Sequence, residues 1–74
     1  MKFIVIELQT NTDGAVGNLV YSYDTRAEAE SKYHAVLSAA AVSVLPIHAA
    51  VLMDNMGIVY GQQSYEHTTE VTAE

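Results

Sequence analysis

Three histidines, five tyrosines and three cations are the residues that could do chemistry in this sequence. His34, His48 and His67 stand 14 and 19 positions apart, so no pair has the i, i+4 spacing that sets two imidazoles on one metal. His67 and Glu70 would need a helix that their surroundings do not favour, and with no cysteine there is no thiolate site. No metal and no cofactor is expected. There is no Gly-x-Ser-x-Gly elbow and no pair of carboxylates set for acid–base work. His34 and Ser38, four apart on a helix, can touch but lack an orienting acid, so no enzyme is expected. His48 stands out because it opens an otherwise apolar strand.

Binding chemistry is better represented. Thr25 and Arg26 begin a helix, where free amides and a cation could take an anion, although Asp24 and Glu28 compete for the same place. Asp13-Gly14-Ala15-Val16-Gly17 has two glycines but neither the spacing nor the following helix of a dinucleotide loop, and reads as a turn. Tyr21, Tyr23, Tyr60 and Tyr65 lie on or beside strands. A phenol has a flat apolar face with a hydroxyl, suited to stacking on a base or packing in an interface. Tyr21, Tyr23, Arg26, His48, Tyr60 and Gln62 are therefore the expected ligand-binding residues.

These side chains must be positioned by four strands and one helix. Lys2 to Gln9 is rich in β-branched and aromatic residues, and Asn11-Thr12-Asp13-Gly14 closes it into a hairpin with Val16 to Tyr23. Thr25 and Glu28 form a capping box. Ala29, Tyr33, Val36, Leu37, Ala40 and Ala41 follow as one helical stripe, and Pro46 ends the helix by Val42 to Val44. Ile47 to Met53 and Ile58 to Gln63 are the last strands, joined at Asp54-Asn55-Met56-Gly57. The class is α+β, in the order ββαββ. A right-handed crossover gives a four-stranded antiparallel sheet of order 2-1-3-4 with the helix on one face. Residues 1–63 form the single domain, and 64–74 a polar C-terminal tail, partly disordered.

The central strands are apolar on both sides. Ile4, Ile6 and Leu8 oppose Phe3 and Val5, while Ile47, Ala49, Val51 and Met53 oppose Ala50 and Leu52. Such strands are buried on both faces. One helix shelters only one, so the other, assigned to Phe3, Val5, Ala50 and Leu52, is expected to be covered by a second copy or by the chain's own tail. A homo-oligomer, dimer or higher, is the favoured outcome.

Nine acidic residues against three basic ones give a formal net charge of −6. Duplex nucleic acid and anionic membrane surfaces would be repelled, since phosphate binding rests on clustered Lys and Arg. No segment reaches the ~18 apolar residues of a membrane span. Met1 to Glu7 reads as a strand rather than a signal peptide, and a reducing cytoplasm is the expected setting.

The runs Phe3–Gly14, Ala27–Glu30 and Leu45–Met53 together resemble a group of small uncharacterised proteins encoded in phages and prophages of gut Firmicutes, over most of residues 2–63. The resemblance implies a bacterial host cytoplasm and a phage-related role. It brings no assigned active site. Small phage proteins of compact oligomeric form include sponges for nucleotide-derived immune signals, and by analogy the resemblance implies sequestration of an ADP-ribose-like molecule at a subunit junction. The alternative is a protein-interaction or structural accessory module with no small-molecule ligand.

Overall fold

The computed structural model describes residues 1–67. Its elements run β1 (Phe3–Thr10), β2 (Val16–Tyr23), α1 (Arg26–Ala41), β3 (Ile47–Asp54) and β4 (Val59–Glu66). The hairpin turns form where their residues require them. At the first, Gly14 donates to the Asn11 carbonyl at 2.9 Å, the Asp13 carboxylate accepts from the Ala15 amide, and Gly14 sits at φ 88°. At the second, Gly57 donates to the Asp54 carbonyl at 3.1 Å, also at φ 88°. Both positions need the left-handed backbone that glycine adopts without steric cost.

Thr25 caps the helix, its hydroxyl accepting from the Glu28 amide at 3.3 Å. The return bond of the capping box differs from expectation. The Thr25 hydroxyl donates to the Glu28 carboxylate, in place of the expected bond from the Thr25 amide. Ala29, Tyr33, Val36 and Ala40 are buried, Leu37 is half-buried, and Ala41 faces solvent because the helix ends beside it. Val42 donates back to the Ala39 carbonyl.

The sheet has the expected order β2-β1-β3-β4, antiparallel throughout. β1 pairs with β2 without a break from Phe3↔Tyr23 to Thr10↔Val16, whereas the β3–β4 ladder shifts register between Leu52 and Met53. β4 runs three residues beyond the expected boundary at Gln63, with Ser64, Tyr65 and Glu66 opposite Ala49, His48 and Ile47. His67 then donates its amide to the Pro46 carbonyl at 2.7 Å. The outer side of β3 offers backbone partners to these residues whatever their polarity. The expected disorder of the tail from Thr68 onward lies outside the described residues.

The assignment of sheet faces is reversed from the expectation. Phe3, Val5, Ala50 and Leu52 lie beneath the helix and do not form an exposed interface. Val5 and Ala50 are fully buried and Leu52 is 3% exposed, packed with Ala29, Tyr33 and Val36. The helix-free face is the other set: Ile4, Ile6, Leu8, Ala49, Val51 and Met53 at its centre, with Val16, Val20 and Val59 on the flanks. Because β2 and β3 run parallel on either side of β1, the hand of the crossover through α1 selects the covered side. Hydropathy could not, since both faces are apolar.

Candidate functional site

Glu7 on β1 and His48 on β3 lie on the helix-covered face, one pairing step apart diagonally, since Glu7 stands opposite Ala50 and Gln9 opposite His48. Glu7 Oε2 is 2.6 Å from His48 Nε2. Gln9 donates to the same oxygen at 2.9 Å, and the Tyr21 hydroxyl lies 3.4 Å from Glu7 Oε1. Above them the Lys32 ammonium sits 4.2 Å from the centre of the Tyr21 ring. Both acid and imidazole are buried, at 9% and 5% exposed. Burial pushes the Glu7 carboxyl up, but the bonds from Gln9 and His48, the electrostatic pull of the imidazole and the nearby Lys32 charge outweigh it. Glu7 is held below the usual carboxylate range. An ionised carboxylate only accepts, so His48 Nε2 carries the proton of this bond. His48 Nδ1 is buried with no hydrogen-bond partner.

A second constellation occupies the opposite end of the same face. Asp54, with no exposed surface, accepts from the amides of Met56 and Ile58 at 2.8 and 3.1 Å through Oδ1. Its Oδ2 accepts from the Tyr60 hydroxyl at 2.6 Å. The Tyr60 bond, joined by the amides, brings the Asp54 carboxyl below its ordinary range against the effect of burial. The same bond raises Tyr60. Arg26 stacks 4.4 Å over the Tyr60 ring while its Nε donates to Glu30 at 2.9 Å. Phe3 tilts against Tyr60, with centroids 6.0 Å apart.

The six residues expected to line one ligand site are thus divided. Tyr21 and His48 belong to the Glu7 cluster, Arg26 and Tyr60 to the Asp54 cluster, and Tyr23 packs half-buried against the core. Gln62 faces the opposite side of the sheet, beside Val51. Thr25 and Arg26 do not offer an open anion site, because the chain's own carboxylates take both. Each cation has an intramolecular partner: Lys2 bonds Asp24, Arg26 bonds Glu30, and Lys32 covers Tyr21. His34 stands edge-on to Tyr33, and His67 meets the Ala40 carbonyl at 2.9 Å. Among the described residues there is no group of three potential metal ligands, and no helix is long and apolar enough to cross a membrane.

Glu7 and Asp54, each the hub of its cluster, were not among the residues singled out by the sequence. Glu7 carried one available signal, a charge interrupting an apolar strand, which calls for a buried partner. Asp54 read as a turn residue. The Glu7–His48 geometry orients an imidazole as acid–imidazole pairs in hydrolases do, but Nδ1 is enclosed and no nucleophile bonds to it. What the cluster does is hold β1, β2 and β3 in one register through polar groups that a one-residue slip would leave unpaired.

The helix-free face also has binding geometry. It carries a shallow depression of about 370 Å³ whose walls include Leu8, Ala49 and Val51, with Gln62 and Ser64 as its polar rim. A groove of about 370 Å³ lies on the other side of the sheet, between β2 and the helix, lined by Tyr23, Glu28, Ser31, Lys32 and Ala35. Comparison with protein-family models, with curated proteins and with solved structures yielded no match to this chain.

Proposed function

We propose that this chain is a non-catalytic binding module that works as a homo-oligomer, two copies stacking through the helix-free faces of their sheets. One observation carries the reading: Ile4, Ile6, Leu8, Ala49, Val51 and Met53 form a continuous apolar surface on the side opposite the helix. Four strands of eight residues span about 19 by 26 Å, so two stacked copies would bury on the order of 1,000 Å² in all, the threshold for a specific interface. Stacked sheets would cover a set of residues that a lone soluble domain rarely leaves bare. The small size of the chain favours the same outcome, since its own core shelters a limited share of its surface.

A second reading adds a ligand. The depression beside Val51 would be roofed by the opposing copy, giving an apolar slot rimmed by Gln62 and Ser64 that suits a flat heteroaromatic ring. A nucleotide-derived signal of ADP-ribose type fits this slot through its base. Its phosphates would meet an acidic protein whose three cations are already engaged, so the assembly module without a small molecule is preferred. The resemblance to phage-encoded small proteins supports a bacterial cytoplasm as the place of action.

Sedimentation equilibrium of the full chain from 1 to 100 µM tests the assembly, with a mass of two copies or a multiple expected. A single-copy mass throughout that range would reject it. Thermal shift with ADP-ribose, AMP and adenosine tests the slot: a ligand at 100 times its dissociation constant raises stability by about 2.7 kcal/mol. No shift with any of the three would leave the module reading alone.

A further inference from the structure

We infer that the free edge of β2 is a second self-association site, at which β2 pairs antiparallel with β2 of another copy to make one eight-stranded sheet. This differs from face stacking. It uses backbone groups at the sheet edge, and shares with the stacked reading only the premise that copies associate.

The two edges of the sheet are unlike each other. β4 is broken by the register shift at Leu52/Met53, ends on Glu66, and has Arg26 stacked on its Tyr60 and Tyr33 against its Gly61. β2 has none of the devices that blunt an edge strand. Over Val16-Gly17-Asn18-Leu19-Val20-Tyr21-Ser22-Tyr23 there is no proline, no charge and no shift of register. Among the described residues its outward N–H and C=O groups have no strand beside them, since β2 ends the sheet order. Val16, Leu19 and Val20 are 62, 48 and 60% exposed, so apolar side chains on both faces of the strand would be covered by a neighbour.

Charge leaves this strand as a place where a second copy can approach. Two molecules of net charge −6 repel each other over most of their surface, yet this strand is neutral along eight residues. Asp24, just beyond its end, is neutralised by Lys2. Pairing about a two-fold axis keeps residues of one face together, so partners must be an even number apart, and axes at Leu19 and at Val20 give equal overlaps of seven residues. The Val20 register sets Leu19 of each copy against Tyr21 of the other and Gly17 against Tyr23. Leu19 then closes over the ring on which Lys32 rests, and the small Gly17 leaves room beside the groove at Tyr23 and Lys32.

Amide hydrogen exchange on the full chain distinguishes the edge from the face. In a lone copy, or in one that only stacks, alternate β2 amides point to water and exchange fast. Paired edges protect them. At 1 mM the outward amides between Gly17 and Ser22 are expected to exchange at least tenfold more slowly than at 5 µM, while β1 and β3 amides hold constant. Leu19→Lys is expected to abolish this concentration dependence with an unchanged far-ultraviolet spectrum. Should that variant fail to fold, the dilution series on the native chain decides by itself. Ile6→Lys, on the stacking face, is expected to leave the edge protection in place, so loss of face stacking and loss of edge pairing are read separately. Fast exchange of alternate β2 amides at 1 mM overturns the inference, as does protection that appears only when a different protein is added.

Discussion

Glu7 and His48, 41 positions apart in the chain, meet at 2.6 Å beneath the helix, and their bond ties β1 to β3 within a core whose other buried charged group is Asp54. Removing one partner of a buried pair leaves the other desolvated, whereas removing both lets apolar packing replace them. His48→Leu is therefore expected to lower unfolding free energy by about 3 kcal/mol, and Glu7→Leu/His48→Leu to recover much of that loss. Urea denaturation of the single and double variants measures it. Strict additivity would show that the two residues do not act as a pair.

The two buried carboxylates set the acid limb of stability. Glu7 and Asp54 both titrate below their ordinary range in the folded chain. Their contribution is then complete above the unfolded carboxylate value, about 4, and is lost as pH falls through the lower folded values. Melting temperature is expected to be level near neutrality and to drop below about pH 4. Asp54→Asn should flatten that drop from a lower starting point. A melting temperature unchanged between pH 7 and 2 would contradict the arrangement.

The reversal of the sheet faces has a direct mutational signature. Val5→Lys puts a charge where no surface is exposed, at a cost of several kcal/mol, comparable with the whole stability of about 5 kcal/mol expected for a small domain. It should yield an unfolded chain. Ile6→Lys, one residue along on the helix-free side, should fold and sediment as a lighter species than the native chain. Circular dichroism with sedimentation separates the outcomes, and an unfolded Ile6→Lys beside a folded Val5→Lys would restore the opposite assignment.

At the first turn, Gly14 occupies φ 88° with open space where a side chain would lie. Gly14→Ala is expected to cost about 1–2 kcal/mol through backbone strain alone. Gly61 is the converse case, with ordinary backbone geometry but the Tyr33 hydroxyl only 3.2 Å from the position of an added methyl. Gly61→Ala should be tolerated if the Tyr33 ring shifts slightly, and Gly61→Val should not. Thermal denaturation of the three variants checks the ordering.

Much of the architecture was legible before any coordinates. Asp13-Gly14 and Met56-Gly57 announce turns by their backbone needs, Thr25 and Pro46 mark the ends of the helix, and a right-handed crossover leaves one strand order. Boundaries slipped where pairing overrides composition, as at Ser64–Glu66, which are polar yet bonded to β3.

The site was legible only in fragments. His48 was conspicuous by its apolar neighbours, and Tyr21, Arg26 and Tyr60 by their types, but nothing local relates Glu7 to a histidine 41 residues away or divides the tyrosines between two ends of one face. The chain alone determined which elements form and that its central strands are apolar on both sides, because turns, caps and hydropathic alternation act over a few residues. Tertiary structure decided which side the helix covers, which charges are buried together and which surface is left bare, because those depend on the hand of the crossover and on contacts between residues distant in the chain.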